Sequence, residues 1–489
     1  MSPSWVIFIP LILFLLALLL LGRTDPQRTG ADFLKSYFLG DRALKGFVLA
    51  MTLVATYGSV SSFVSGPGLA WQYGLGWVVF AAPQIITGFL VLGVLGKKLS
   101  LVSRKIGAIT VIDVIVARFK SPALGAFLSI ALLFFFMAMM VGQFIGGAQL
   151  ISQAAGIDYV LGLLIFGVVV IAYTTTGGFK AVAITDTVSA LLMLVGMGVL
   201  AADIIGQAGG LSSLMQKINQ EANAGQAQAF FTPTSSGALP WTLLFSSWIL
   251  VGFATVALPQ SAVRCMAYRR TEDLHLAMVV STAVCGALMI GMTLLGFLAR
   301  GVIPDAEVFG NNTDAMIPYL ISHHMNAWVA GITLVAPIAA TMSTVSSLLI
   351  AASSAIIKDL FLKRYSNIPD KGEAVRRYAK VCTFSIGLLS LLLAVDPMDI
   401  IVWINMFAFG GLEIAFLCPL VGGLFWAQAT RLGAWAAVCI GLGVYAWACL
   451  VKPDLGGWHA VTPAILASIA VFILVSLAGH REKNLDFFP

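Results

Sequence analysis

Charged side chains are scarce in this sequence: aspartate, glutamate, lysine and arginine make up only 10% of its 489 residues, against about 25% in ordinary soluble domains. Hydrophobic residues make up 59%, and apolar runs long enough to cross a bilayer recur from end to end. These runs lack the alternation of apolar and polar residues that a transmembrane β-barrel requires. The composition therefore predicts an all-α polytopic membrane protein.

Motifs of catalysis and metal binding are also missing. No nucleophile elbow, phosphate-binding loop or dinucleotide fingerprint occurs where a soluble domain could hold it, so we do not expect an enzyme. The six cysteines have the spacing of neither a zinc site nor a disulfide framework.

The apolar runs predict thirteen transmembrane helices in a single domain, 1–489. Their approximate ranges are 4–22, 45–70, 74–96, 122–151, 157–175, 181–206, 239–260, 274–300, 327–357, 376–395, 398–425, 430–450 and 460–479. The first run has no basic segment before it and no cleavage pattern after it, so we expect a retained helix rather than a signal peptide.

The basic residues predict the orientation of the chain. With the N-terminus outside, all but three of the 28 lysines and arginines lie on the inner side, as the positive-inside rule requires. The exceptions are Lys217, Arg300 and Lys452. The net charge of +6 is therefore a topology signal, and we expect no nucleic-acid binding.

A cluster of hydroxyl side chains interrupts the ninth run. Its members are Ser343, Thr344, Ser346 and Ser347. The three serines share one helical face with Ala340, which lies one turn earlier. Converging oxygens at this depth favour a bound cation, but small hydroxyl residues are also typical of a packing seam between membrane helices. The residues alone leave both interpretations open.

Two runs contain helix-breaking residues. The second run carries Gly58 and then Gly66-Pro67-Gly68, and the seventh carries Pro259; these residues favour unwound turns. Exposed backbone groups are tolerated inside a bilayer only where they line a cavity or bind a ligand. The breaks are five spans apart in helices of opposite direction, as two inverted repeats of five helices require. Two ordinary kinks are the alternative.

Charged residues within membrane spans are functional candidates, because an unpaired carboxylate there costs on the order of 3 kcal/mol. Asp186, near the inner start of the sixth span, is expected to be paired by sodium or by a lysine. Glu413, in the eleventh span, could be a cation ligand, a proton carrier or a structural carboxyl bonded to backbone. Arg264 follows the break in the seventh span, and we expect it to be an interfacial anchor.

These residues resemble the sodium:solute symporter family, from the first span to the thirteenth. The most specific matches are Gly177-Gly178-Phe179, Thr185-Asp186-Thr187 and Ala340-Thr341-Met342-Ser343-Thr344. Further matches resemble the members that import pantothenate: Tyr37-Phe38-Leu39-Gly40, Gly66-Pro67-Gly68, Gln143-Phe144-Ile145-Gly146-Gly147-Ala148, Pro259-Gln260-Ser261-Ala262-Val263-Arg264-Cys265 and Phe409-Gly410-Gly411-Leu412-Glu413.

The resemblance implies a LeuT-like fold, whose core is two inverted five-helix repeats. The repeats would be 45–206 and 239–425, with an extra N-terminal helix at 4–22 and two additional helices at 430–479. It also implies a plasma-membrane protein, in a bacterium an inner-membrane protein, with its N-terminus outside and its C-terminus in the cytoplasm. A monomer is compatible with this architecture.

The family's sodium sites are implied residue by residue. The principal site would use the backbone carbonyls of Ala55, Gly58 and Ala340 and the hydroxyls of Ser343 and Thr344. Some members hold a second sodium through residues that match Asp186, Ser343, Ser346 and Ser347. We therefore expect one or two coupling sodium ions and no other metal.

The substrate implied by the resemblance is a small organic anion, pantothenate. Proline-transporting members have an aspartate where this chain has Tyr57, which argues against a small zwitterionic amino acid. Helix N-termini and bound sodium are expected to meet the substrate carboxylate. Candidate substrate contacts on the cavity-lining helices are Tyr57, Ser59, Ser62, Gln84, Gln143, Phe253, Thr255, Gln260, Trp403, Asn405 and Phe407.

The function predicted from these residues and from the resemblance is sodium-coupled import of pantothenate by alternating access. Two alternatives stay open. The substrate could be another small solute, such as sialic acid, a monocarboxylate or a sugar. The coupling ion could be a proton, carried by Glu413 or Asp186.

Overall fold

The computed structural model describes residues 5–22, 30–221, 227–361, 373–396 and 401–479. These residues form helices and connecting loops and contain no β-strand; one isolated bridge pairs Leu44 with Tyr268. The predicted all-α class is confirmed. Residues 4 and 398–400, which belong to two of the predicted spans, lie outside the described residues.

The helices follow one another with short connections. Those of the first half are α1 (Phe8–Leu21), α2 (Gly30–Leu39), α3 (Gly46–Tyr57), α4 (Ser61–Tyr73), α5 (Leu75–Lys105), α6 (Val111–Phe119), α7 (Pro122–Ala155), α8 (Tyr159–Gln207) and α9 (Leu211–Glu221). Those of the second half are α10 (Ala227–Phe231), α11 (Trp241–Ala257), α12 (Pro259–Cys265), α13 (Thr271–Ala299), α14 (Met316–His324), α15 (Ala327–Phe361), α16 (Glu373–Leu393), α17 (Ile401–Phe425), α18 (Arg431–Val451) and α19 (Val461–Ala478).

Membrane-spanning helices dominate the described residues. Eight are long and apolar enough to cross a bilayer, and the number rises to ten if each of two bent helix pairs is one span. The predicted first and tenth spans are also helical, but α1 has only 14 residues and α16 carries charged residues in its first turns. The predicted fifth and sixth spans form the single broken helix α8. Thirteen spans therefore stay a prediction.

Both predicted helix breaks are present. The axes of α3 and α4 differ by 70°, and those of α11 and α12 differ by 45°. Gly58 and Leu258, the residues at which the helices stop, have extended backbones with ψ of 121° and 117°. Leu258 precedes Pro259, and the proline ring disfavours a helical conformation for the residue before it.

The helix α8 contains a third break, at Gly178. Its φ of 63° and ψ of −167° lie in a region that is essentially restricted to glycine. A Cβ atom at Gly178 would lie 2.7 Å from the ring of Tyr37 and 3.0 Å from its carbonyl oxygen. The predicted spans 157–175 and 181–206 are thus not separated by a loop but are connected directly at Gly178. The helix α2 packs against this break.

The helix that carries the hydroxyl cluster, α15, is at the centre of the molecule. Its apolar membrane-length segment is entirely buried by protein, and it packs chiefly on α8, with α7, α3 and α16 around it. Small residues such as Gly196 of α8, whose Cβ would lie 2.3 Å from the Ala336 side chain, permit this close approach. The serine and threonine hydroxyls therefore face protein and not lipid.

Substituting Gly178→Ala should destabilise the protein by roughly 1–3 kcal/mol, because alanine is strained in this backbone conformation and its Cβ would contact Tyr37. The melting temperature of the purified protein in detergent should fall accordingly. Gly198→Ala is the matched control: this residue lies in the same helix with open space around it, and alanine is the better helix former by up to about 1 kcal/mol. Equal melting temperatures for the two variants would contradict the prediction.

Candidate ion and substrate site

The hydroxyl cluster of α15 contacts the C-terminal end of α3. Ser343 Oγ donates a hydrogen bond to the carbonyl of Ala55 at 2.9 Å, and Thr344 Oγ1 donates to the carbonyl of Gly58 at 2.8 Å. Both hydroxyls also lie 3.0 Å from the carbonyl of Ala340. The five oxygens expected for the principal sodium site are therefore neighbours, and all five residues are buried.

These oxygens are available because of the local backbone. The last carbonyls of a helix have no intrahelical partner, and α3 stops at Tyr57 because Gly58 is extended. On α15, the helix continues, but Ser343 and Thr344 turn their hydroxyls towards the free carbonyls of α3. Such unwound carbonyls with hydroxyl neighbours are the oxygen donors that sodium uses in transporters with broken helices.

A buried ion pair lies beside this cluster. Asp186 is fully buried, and its Oδ2 accepts hydrogen bonds from Arg264 Nη2 at 3.2 Å and from Thr52 Oγ1 at 2.6 Å. The Arg264 guanidinium also donates to Ser347 Oγ at 2.7 Å and to the carbonyl of Gln260 at 2.6 Å. The pair therefore connects α8 and α12 with α3 and α15.

Two expectations about charges are corrected by this pair. Arg264 is only 1% exposed, so it is not an interfacial anchor, and Asp186 is paired by this arginine and not by a lysine. The reason is the second break: it turns the short helix α12 so that Arg264 points into the protein. A carboxylate in a span requires a partner, and a basic residue directly after a break was the available signal.

The residues expected for a second sodium have divided roles. Ser347 Oγ lies 3.4 Å from Asp186 Oδ2 and 2.9 Å from Thr56 Oγ1, so it belongs to the ion-pair network. Ser346 Oγ donates to the carbonyl of Ser343 within the helix at 3.0 Å. The guanidinium of Arg264 thus already contacts the Asp186 and Ser347 oxygens that a second cation would use.

A cavity of about 70 Å³ lies beside the first break. Five of the predicted substrate contacts line it: Tyr57, Ser59, Ser62, Gln84 and Asn405. Lining residues that the sequence analysis missed include Ser61, Trp77, Phe80, Met289, Thr293 and Phe409. Trp77 and Phe80 are stacked, with ring centroids 4.3 Å apart; their spacing of three residues on one helical face was the signal that could have identified them.

Gln143 does not line the cavity but bonds to residues next to it and in its lining. Its Oε1 accepts a hydrogen bond from the backbone N–H of Val60 at 3.0 Å, and its Nε2 donates to Asn405 Oδ1 at 3.3 Å. Asn405 Nδ2 in turn donates to Ser61 Oγ. The two amide side chains therefore satisfy polar groups of the unwound segment and attach it to α7 and α17.

The other predicted substrate contacts lie outside the cavity lining. Thr255 is buried within the second break and donates to the carbonyl of Gly252 at 2.6 Å, and Gln260 lines a small separate cavity beside Arg264. Phe253 is 55% exposed, Trp403 packs behind Trp77, and Phe407 stacks on Tyr445. A substrate role for these five residues stays a prediction.

Tyr57 forms one wall of the cavity. Its hydroxyl donates to the carbonyl of Val251 in α11 at 3.0 Å, and its ring packs on Phe409 with centroids 6.2 Å apart. Tyr57 therefore connects the two broken spans and α17. Glu413, which lies one turn further along α17, does not line the cavity.

Comparison with known proteins gives consistent results. A model of the sodium:solute symporter family matches residues 37–441. The chain is 40% identical to the sodium/pantothenate symporter of Haemophilus influenzae over 457 residues, which covers 93% of each chain. It is also 40% identical to the sodium/pantothenate symporter of Escherichia coli, over 93% of this chain and 92% of that protein.

A solved structure shares the fold. It is the substrate-bound, outward-open state of a Na⁺-coupled sialic acid symporter, which matches with a TM-score of 0.81 over 99% of this chain and 100% of that chain. The sequence identity is 20%, so this similarity shows the fold alone.

Removing the guanidinium with Arg264→Ala should destabilise the protein by roughly 3–5 kcal/mol, because it leaves Asp186 as an unpaired buried carboxylate. Arg269→Ala is the control, since Arg269 forms an exposed pair with Asp273 that should contribute at most about 1 kcal/mol. The double variant Asp186→Ala/Arg264→Ala should lose less than the sum of the two single losses. Thermal unfolding in detergent compares the wild type with Arg264→Ala, Asp186→Ala, the double variant and the control, and strictly additive losses would refute direct pairing.

Proposed function

This chain belongs to the sodium:solute symporter family, and we propose that it imports pantothenate together with sodium by alternating access. The observation that carries the proposal is the contact of Ser343 and Thr344 with the free carbonyls of α3, directly beside a cavity lined by both polar and apolar side chains. The substrate is suggested by the two relatives that are 40% identical over most of the chain.

The chemistry of the cavity suits this substrate. Pantothenate has an amide, two hydroxyl groups and a carboxylate, and the lining offers serine hydroxyls, the amides of Gln84 and Asn405 and the phenol of Tyr57. None of the described lining residues is charged. The substrate carboxylate would lie near the N-terminus of α4, where Ser61 and Ser62 line the cavity and the helix dipole favours an anion.

The volume of the cavity supports alternating access. At about 70 Å³ it is well below the roughly 300 Å³ at which ligand pockets begin. The cavity must therefore widen to admit the substrate. Movement of Tyr57 and of the Trp77–Phe80 pair would widen it, because these side chains form its aromatic walls.

We propose that sodium binds between α3 and α15. On binding, the hydroxyls of Ser343 and Thr344 would rotate their hydrogens away from Ala55 and Gly58, so that carbonyl and hydroxyl oxygens all face the ion. The ion would then hold the first break in a fixed shape and with it the adjacent cavity. A coupling free energy of about 2 kcal/mol between the two sites would change substrate affinity roughly thirtyfold.

We propose that a single sodium ion is coupled to each substrate. The support is Arg264, whose guanidinium supplies a positive charge to Asp186 and Ser347, the residues that would anchor a second ion. A second sodium would have to displace this side chain.

The membrane arrangement that we propose has thirteen spans. In it α1 crosses the membrane, α8 crosses it twice around Gly178, and α16 contributes a further span. The inverted repeats are 45–206 and 239–425, preceded by the helix at 4–22 and followed by the two helices at 430–479. The N-terminus lies outside and the C-terminus in the cytoplasm, in the inner membrane of a bacterium.

Ser343→Ala and Thr344→Ala should each raise the sodium concentration that gives half-maximal uptake, by roughly tenfold if one ligand contributes about 1.4 kcal/mol. The maximal uptake rate should change less, because neither side chain lines the substrate cavity. Ser353→Ala is the matched control: its hydroxyl bonds only to the carbonyl of Ile350 on the same helix. Wild-type sodium dependence in both variants would show that the ion binds elsewhere.

Proteoliposomes containing the purified protein should accumulate radiolabelled pantothenate only with an inward sodium gradient. Replacing sodium by choline at constant pH should abolish accumulation, whereas proton coupling would preserve it. Sialic acid, proline and sugars should not compete. Parallel uptake of radioactive sodium should give a ratio of about one ion per substrate, and a ratio near two would contradict the role given to Arg264.

A further inference from the structure

Glu413 is a buried carboxyl that the proposed sodium and substrate sites do not use. It is fully buried in α17, and neither carboxyl oxygen has a hydrogen-bond partner among the described residues. A carboxylate bonded to backbone, which was one of the expectations, is therefore not what the structure contains. An ionised carboxylate without a partner would be extremely costly in such an apolar environment, and such groups become neutral instead.

Among the described residues, no hydrogen bond or salt bridge compensates a charge on Glu413. The helices packed against α17 include α7, α18, α19 and the two broken spans. The titratable side chains on these helices that interact electrostatically with Glu413 are Tyr57 of α3 and Tyr445 of α18, and phenols are neutral near pH 7.

Glu413 lies where opening of the cavity towards the cytoplasm would change its surroundings. It lies one turn beyond Phe409, on the face of α17 that carries Val402, Met406 and Phe409, all of which line the cavity. In the proposed topology this turn lies on the cytoplasmic side of the Tyr57–Phe409 contact. A substrate that leaves the cavity towards the cytoplasm would pass Glu413 once that contact opens.

Irregular helix geometry surrounds the same turn. Gly410 and Gly411 precede Glu413, and a Cβ at either would lie within 2.6 Å of Tyr445 or Phe135. A π-helical segment, Leu417–Gly422, follows it and packs against Phe253–Ala257 at the second break. Such π-helical segments are frequent at functional sites, so Glu413 lies between two places at which α17 can bend.

We propose that Glu413 is a proton-binding site: its carboxyl is protonated in the closed protein and releases the proton to cytoplasmic water when the inner pathway opens. The proton leaves the carboxyl oxygen for water and returns from the same side on closing, so none is carried across the membrane. This inference takes the alternating-access cycle proposed above as its premise, and it assigns to that cycle a dependence on cytoplasmic pH.

The pH dependence of inward opening has a definite direction, because the two states bind the proton with different affinities. The closed state holds the proton more tightly than the hydrated, inward-open state does. The proton therefore favours the closed state at low pH, and this preference is lost as the pH rises. The equilibrium constant for inward opening should increase by up to about tenfold per pH unit.

A cysteine reporter can measure inward opening. Ser354 lines the small cavity beside Arg264 and is 7% exposed, so Ser354→Cys should react with a membrane-impermeant maleimide only when the inner pathway opens. The reporter is placed in otherwise wild-type protein and in Glu413→Gln protein, purified in detergent without sodium. The ratio of their labelling rates cancels the ordinary pH dependence of the thiol and the reactivity of the native cysteines.

The wild-type to Glu413→Gln labelling ratio should rise by several-fold between about pH 6 and about pH 8, because glutamine cannot release a proton. Asp203→Asn, which alters a partly exposed carboxyl near the C-terminal end of α8, should keep the wild-type profile. A ratio that does not change with pH overturns the proposal.

Infrared spectroscopy provides an independent readout. At neutral pH the wild-type protein should show the C=O stretching band of a protonated carboxylic acid, which Glu413→Gln should lack and Glu413→Asp should shift. Absence of the band in wild-type protein overturns the proposal, even if Glu413→Gln does not fold. Sodium-driven pantothenate uptake by the same preparations separates the two proposals: failed uptake with an intact pH-dependent ratio would refute the transport function but not the proton site.

Discussion

The contact between the α15 hydroxyls and the end of α3 is the interaction on which the rest of this structure depends. Inside a bilayer, a helix that stops leaves carbonyls that water cannot reach, and each unsatisfied group costs several kcal/mol. Ser343 and Thr344 supply partners for two of these carbonyls. The membrane-length segment of α15 is itself buried by protein on all sides, so its hydroxyls are available to these carbonyls and not to lipid.

Other buried polar groups of the core also obtain their partners from neighbouring helices. Gln143 satisfies the Val60 N–H of the unwound segment, and Arg264 satisfies Asp186. Each of these side chains belongs to a different helix from the group that it serves. The broken spans therefore depend on surrounding helices as well as on their own hydrogen bonds, so a change in helix packing should alter the shape of the breaks.

Much of this arrangement could be predicted from the sequence, because the causes are local. Glycine and proline determine the breaks through their own backbone chemistry, and the hydroxyl spacing on α15 defines a face whatever the partner. The partner of Asp186 could not be predicted in the same way. The position of Arg264 directly after the second break was the available signal, but the direction of its side chain depends on how far that break turns α12, so Arg264 was expected at the membrane surface. Trp77 was missed for a similar reason: its spacing from Phe80 places both rings on one helical face, but it does not say whether that face meets a cavity or the core.

The proposed coupling of a single sodium ion, which rests on Arg264, has a consequence for how the cycle would use the membrane potential. A charge fixed to the protein beside Asp186 stays with the protein, whereas a second ion would be released inside. One sodium ion moving with one carboxylate anion carries no net charge, so the roughly 2.3 kcal/mol that each elementary charge gains per 100 mV would not contribute. The highest accumulation of substrate would then equal the sodium concentration ratio across the membrane, and an energised but sodium-poor cell would gain nothing from its voltage.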